Sequence, residues 1–353
     1  MVPKVEKPAC ARNPVLFDSF HFLVCLLLRG FLNMCTKLHL NELPMAACLF
    51  YLDEKLMMSS KRSLRSLAFG VFMPVALVTS TFAQAADGGN VKAQRIVSVG
   101  GTITEILYAL GAQDRIVARD STSSFPVDAL AKPDVGYMRA LSAEGILSQK
   151  PDLILTEDGA GPADVLNILK DSEVPVVTID TPPSGAAIAK KILDVGAAVG
   201  LEDKAKNLAE EVDTGLAALA KDVSAVGEKK KRVLFVLSTA GGRIMAGGQD
   251  TEAAAIIEMA GGVNAASAIT GYKPLTDEAV IAAAPDVVLT MARGNHQASP
   301  DEVFALPAFQ STPAAADKAL ISMDGLYLIG FGPRTPAAAH ELASKLYPDV
   351  VKP

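Results

Sequence analysis

The sequence predicts an α/β fold of two Rossmann-like lobes with mainly parallel sheets, joined by a long rigid helix, with a ligand cleft between the lobes. Short apolar runs alternate with amphipathic segments along residues 95–346, the pattern of a doubly wound sheet. Residues 136–156 recur in altered form at 271–290. Between the two series lies a stretch rich in Ala, Leu, Lys and Glu with helical spacing.

In the first series, RIVSV (95–99) reads as a buried strand. A helix over 102–110 follows and is closed by Gly111. RIVAR (115–119), DLILT (152–156) and VPVVTI (174–179) are further strands, with a helix over 163–172 between the last two. The stretch 186–226 reads as one connector kinked near Gly200, or as two packed helices. In the second series RVLFVLS (232–238), DVVLT (286–290) and ALISM (319–323) are strands, and 252–260, 276–284 and 336–346 are helices. Domain limits follow as 86–185 for the first lobe, 186–227 for the connector and 228–353 for the second lobe.

The repeat aligns with one gap. GYMRALSAE, Ile146-Leu147 and PDLILT in the first copy answer to GYKPLTDE, Val280-Ile281 and PDVVLT in the second. Each copy reads as a loop, a helix capped by Ser or Thr, a Pro-Asp turn and a buried strand. Two similar lobes place the carboxyl ends of their strands across a shared cleft, where ligands of such sheets bind.

The start of the chain stands apart. Lys61, Arg62 and Arg65 precede an apolar run over 67–78, and Ala83-Gln84-Ala85 fits a small-x-small cleavage pattern. A run of about a dozen residues is short of the roughly 20 that span a bilayer, so 58–85 reads as a cleaved secretory signal. Residues 1–57 would then be an upstream extension from a misplaced start site. All four cysteines (Cys10, Cys25, Cys35, Cys48) lie there. Of the 353 residues, 33 are Lys or Arg and 39 Asp or Glu, for a net charge of −6, and mean hydropathy is +0.29. Residues 86–353 carry 24 basic and 34 acidic residues and no cysteine. This excludes a disulfide scaffold and a cysteine zinc site there, and the acidity argues against a nucleic-acid binder. Only His296 and His340 remain, too few for a histidine-rich metal site.

No catalytic constellation stands out. The chain has no G-x-S-x-G, P-loop or G-x-G-x-x-G motif. From the residues alone, Tyr137 is a loop residue packing at the lobe surface. Glu144 and Glu278 are acids in the first turns of helices, worth a few tenths to about 1 kcal/mol each.

RIVSVGGTITEILYALGA, GYMRALSAEGILSQKPDLIL and GYKPLTDEAVIAAAPDVVLT, with the export signal and the two lobes, resemble periplasmic substrate-binding proteins of bacterial ABC importers. The subgroup is the helix-linked one that serves vitamin B12, siderophores and haem, and the likeness is greatest to its haem-binding members. It covers 94–348. The resemblance implies a non-enzyme that carries haem (hemin) as transported ligand through the periplasm to a permease dimer in the inner membrane, with an outer-membrane haem uptake system upstream. It implies Tyr137 as axial ligand of the haem iron, a hard anionic donor suited to ferric iron, with Arg139 helping its phenol lose a proton. Arg293, Tyr272, Met245 and Met291 would complete the pocket, and Gly330–Arg334 would edge it. Glu144 and Glu278 would dock on the permease. Some haem-binding members carry a His after the first strand of the second lobe; here the stretch is Ser238-Thr239-Ala240-Gly241-Gly242. The alternatives are a siderophore or cobalamin carrier of the same class, and an α/β enzyme using the cleft.

Overall fold

The buried apolar runs seen in the sequence form two sheets at the centres of two lobes. The computed structural model describes residues 93–180, 182–292 and 298–352, all within one compact unit, Gln84–Pro353. The extension and export segment expected over 1–85 lie outside the described residues. No helix among the described residues is long and apolar enough to cross a membrane.

The strands are β1 (Ile96–Val99), β2 (Ile116–Arg119), β3 (Leu153–Glu157), β4 (Val176–Ile179), β5 (Arg232–Ser238), β6 (Ile244–Gly247), β7 (Val263–Asn264), β8 (Tyr272–Leu275), β9 (Val287–Ala292) and β10 (Leu320–Asp324). The helices are α1 (Gly101–Ala109), α2 (Ala143–Leu147), α3 (Ala163–Lys170), α4 (Gly185–Val199), α5 (Glu202–Ser224), α6 (Glu252–Met259), α7 (Asp277–Ala283), α8 (Pro300–Phe304), α9 (Pro313–Ala316), α10 (Gly325–Ile329) and α11 (Thr335–Leu346).

The first sheet has the order β2-β1-β3-β4 and is parallel throughout. Its strands are rich in Ile, Val and Leu, and β1, β2 and β3 are almost wholly buried because both faces are covered there. The second sheet has the order β10-β9-β5-β6-β8, with β7 beside β5. Strands β10, β9, β5 and β7 are parallel, whereas β6 runs antiparallel to both its neighbours, β5 and β8. The second sheet is therefore mixed, and the expected GYKPL loop is its edge strand. Pro274 lies in that strand; an edge has a row of N–H groups facing out, so a residue without one is tolerated there.

The repeat extends to atomic detail. The Asp152 carboxylate accepts the backbone N–H of Gln94 and Arg95 at 2.8 and 2.9 Å, and Asp286 accepts that of Arg232 at 2.8 Å. The Arg95 guanidinium donates to the carbonyls of Gln149 and Lys150, and that of Arg232 to the carbonyl of Ala283. Each lobe thus ties the start of its first strand to the end of its capped helix in the same way.

The stretch expected as one long connector is two packed helices, and the long link is α5, of 23 residues. Gly200 adopts φ 67°, and N–H groups of Gly200 and Leu201 return to the carbonyls of Ala197 and Gly196. This left-handed cap ends α4 and reverses the chain. Ile188, Ile192, Val195 and Val199 of α4 and Ala205, Ala209 and Val212 of α5 lie in one core with Leu107 of the first lobe and Ile256 and Leu342 of the second. Helix α4 belongs with the first lobe, packing on α1 and β4, while α5 packs on α6 and α11. A Cβ added at Gly196 would lie 2.2 Å from the Ala205 Cβ, so these helices meet at backbone distance. Gly196→Val is expected to lower stability by about 1–3 kcal/mol through overpacking, read as the midpoint of urea unfolding; an unchanged midpoint would show the contact to be slack.

Candidate functional site

The carboxyl ends of β1, β3, β4, β5 and β9 face a cleft between the lobes of about 340 Å³. Gly101, Thr102, Thr122, Tyr137, Met138, Arg139, Glu157 and Lys191 come from the first lobe; Leu237, Glu252, Tyr272, Met291, Ile329, Gly330 and Phe331 come from the second. This is where an open α/β sheet binds ligands, because the strand ends and the loops after them are free of crossover helices.

The first-lobe wall is built on a buried carboxylate. Asp120 accepts the backbone N–H of Gly100 at 3.0 Å, both the N–H and hydroxyl of Thr122 at 2.9 and 2.6 Å, and the Ser123 hydroxyl at 2.7 Å. Four donors on one buried carboxylate fix the turn into α1 and the start of the loop that carries Thr122.

Tyr137 sits on the loop after Asp134, with 48 % of its surface exposed. The loop is held on both sides. Gly136 receives the N–H of Ser121 at 2.9 Å, and the Asp134 carboxylate accepts the N–H of Gly136 at 2.8 Å. Asp134 is itself paired with Arg119 at 2.8 Å. Beyond Tyr137, its carbonyl accepts the N–H of Ala140 at 2.7 Å, closing a tight turn, and Met138 receives the N–H of Gly161 at 2.8 Å. Arg139 is exposed on the same turn and enters no ion pair among the described residues.

The repeat partner Tyr272 is in a different state. Its hydroxyl donates to the Glu252 carboxylate at 2.9 Å, and its ring meets that of Phe235 edge-on at 6.3 Å. Burial pushes its phenol well above the ordinary value, and the Glu252 charge adds to the shift. Both effects favour the protonated phenol.

The cleft brings together Tyr137, Arg139, Tyr272 and Met291. Met245, expected in the pocket, is half-buried on β6 and is not part of the cleft wall, which at that side is formed by Leu237, Glu252 and Tyr272. Arg293 lies outside the described residues, directly after β9. Gly330 and Phe331 edge the cleft as expected, while Arg334 turns to the first lobe. Glu144 and Glu278 are exposed, away from the cleft lining, in the first turns of α2 and α7. Ser142 and Thr276 cap these helices, each accepting an N–H at 3.2 Å. Hydrogen bonds from its own N–H and from Thr276 hold the Glu278 carboxyl below the usual range.

Sequence reasoning missed the pair of Glu157 and Lys191. Glu157 ends β3, and Lys191 of α4 reaches it at 2.7 Å with only 5 % of the residue exposed. A lysine at a buried helical position among Ile188, Ile192 and Val195 was the available signal. Among the described residues no group of three or more His, Cys, Asp or Glu could hold a metal ion.

Known proteins agree with this architecture. A family model described as periplasmic binding protein matches residues 96–326. A solved periplasmic haem-binding protein, BhuT in complex with two haems, is 38 % identical with a TM-score of 0.68, covering 71 % of this chain and 97 % of that one. An uncharacterised ABC transporter substrate-binding lipoprotein of Bacillus subtilis is 28 % identical over 261 residues, 73 % of this chain and 82 % of that protein. A vitamin B12-binding protein of Yersinia pestis is 34 % identical over 88 residues, 25 % of this chain and 31 % of that protein.

Proposed function

The chain belongs to the periplasmic binding protein family, and from that membership we propose that it binds haem in the interlobe cleft and delivers it to an ABC permease. It is a substrate-binding protein of the ABC importer class, not an enzyme, and its place is outside the cytoplasm. Export through a cleaved segment at 58–85 is part of the same reading.

One observation carries the choice of haem: Tyr137, held on a braced loop, presents an exposed ring at the cleft, whose other wall sets the apolar Leu237, Met291, Ile329 and Phe331 beside Glu252 and Tyr272. A planar porphyrin needs apolar walls, and a ferric iron needs a hard anionic donor. The two tyrosines divide these tasks. Tyr137 supplies the oxygen to iron, whereas Tyr272, kept protonated beside Glu252, is a wall residue.

Titration of the protein with hemin tests the reading, with a saturable Soret band and a tyrosinate charge-transfer band as the expected result. Absence of saturable binding, with retention of cobalamin or a ferric siderophore instead, would move the chain to the second reading. That reading draws support from the segment shared with the vitamin B12-binding protein. Tyr272→Phe is expected to keep the charge-transfer band and its position. Its loss would make Tyr272 the ligand. In an alkaline titration Tyr272 is expected to ionise later than a free tyrosine, whose pKa is about 10. Its raised folded value means that its share of stability is present below pH 10 and is lost as pH rises further.

A further inference from the structure

We propose that Glu105 and Arg334 form a latch between the lobes that holds the cleft at one width and thereby sets how long cargo is retained. Glu105 is on α1 of the first lobe, its side chain 6 % exposed; Arg334 precedes α11 of the second, its side chain 27 % exposed. The guanidinium Nη2 donates to Glu105 Oε2 at 2.7 Å, and the Arg334 backbone N–H donates to Oε1 at 3.3 Å. The same guanidinium lies 3.4 Å above the ring of Phe125 in the first lobe. One side chain of the second lobe therefore grips the first by charge and by an aromatic face.

The grip reaches the cleft without being part of it. Neither Glu105 nor Arg334 lines the cleft, but Gly330 and Phe331, just before Arg334, do, and so does Thr102, one turn before Glu105. Thr102 donates its hydroxyl to the Gly330 carbonyl at 2.5 Å, seating the segment on α1. Phe331 is buried with φ 54°, a left-handed conformation that costs a bulky residue and persists only where its surroundings hold it. The contact does not run through the α5 link. Removing either partner strands a charge, and for Glu105 that charge is buried. Glu105 and Arg334 are thus positioning residues: they act on cargo through the 330–331 wall.

Hydrogen–deuterium exchange on the full chain tests the latch without any cargo. In Glu105→Gln and in Arg334→Lys, which keeps the charge but loses the planar fork, amides of 101–107 and 326–334 are expected to exchange faster while those of β1 and β3 stay unchanged. Arg334→Lys guards against a Glu105→Gln chain that fails to fold. A second arm rests on the haem reading: transfer of hemin to apomyoglobin is expected to speed up by roughly 10- to 100-fold, the scale of losing a support outside the direct contact, with the charge-transfer band intact. Unchanged exchange in both segments, or exchange raised equally across both sheets, overturns the latch. Failure of the wild type to bind hemin would sink the haem reading and leave the latch to be decided by exchange.

Discussion

Tyr137→Ala is expected to lower hemin affinity by more than about 100-fold and to remove the charge-transfer band. Supports one step removed from a metal are worth about 10- to 100-fold, so loss of the donor atom itself exceeds that range. Tyr137→Phe separates donor from packing: it keeps the ring, loses the oxygen, and is expected to match the Ala variant in spectrum. The loop does not depend on the side chain. Its fixed points are the N–H of Ala140 on the Tyr137 carbonyl and the contacts of Gly136 and Met138 with Ser121 and Gly161. Both variants therefore fold with the wild-type circular dichroism. A wild-type spectrum in Tyr137→Phe would remove Tyr137 from the iron.

Under the proposed docking role, replacing Glu144 and Glu278 together by Ala is expected to cut haem uptake in cells to below about a tenth while hemin binding in solution stays the same, since truncating one partner of a desolvated charge pair across an interface costs about 2–5 kcal/mol. The two carboxylates stand in the first turns of α2 and α7, exposed, one per lobe. The lobes repeat each other down to the clamps of Asp152 with Arg95 and Asp286 with Arg232. The proposed docking role uses this equivalence: one like charge from each lobe for a two-subunit permease. Arg at both positions is expected to be worse than Ala, because it adds repulsion to loss. Each exposed acid does no more than support the first turn of its own short helix, so a collapse of uptake would not originate in folding. Uptake equal to wild type would assign these acids to helix capping alone.

Most of the fold was legible because its signals are local. Strands β1, β3 and β9 each hold a run of four buried residues, and the capped helices of the repeat carry Ser142 and Thr276 at their starts. The antiparallel β6–β8 pair was not. β6 is four residues, IMAG, and β8 contains Pro274, so neither shows the alternation of a strand. The split of the connector rested on one residue, Gly200, whose left-handed cap is invisible until the turn is closed. At the site, Tyr137 and Arg139 stood out through the repeat and the family resemblance. The pairs of Glu157 with Lys191 and Glu105 with Arg334 join residues 34 and 229 positions apart, and contacts at such separation leave no periodic trace. Helix α1 did hold one clue: Glu105 is a charge among Ile103, Ile106 and Leu107, all buried.

The single core that runs from Leu107 through α4 and α5 to Leu342 bears on how empty and loaded molecules compete. Two sites on one body can influence each other only if the body has two states to choose between. A core shared by both lobes, with the proposed latch across it, is expected to favour one. On the proposed docking and haem roles, loading is then expected to change the spacing of Glu144 and Glu278 little, so that a transporter meets nearly the same surface whether or not cargo is aboard. Empty carriers would then compete with full ones, and transport flux is expected to follow the loaded fraction of the carrier pool and to fall when carrier is made in excess of haem.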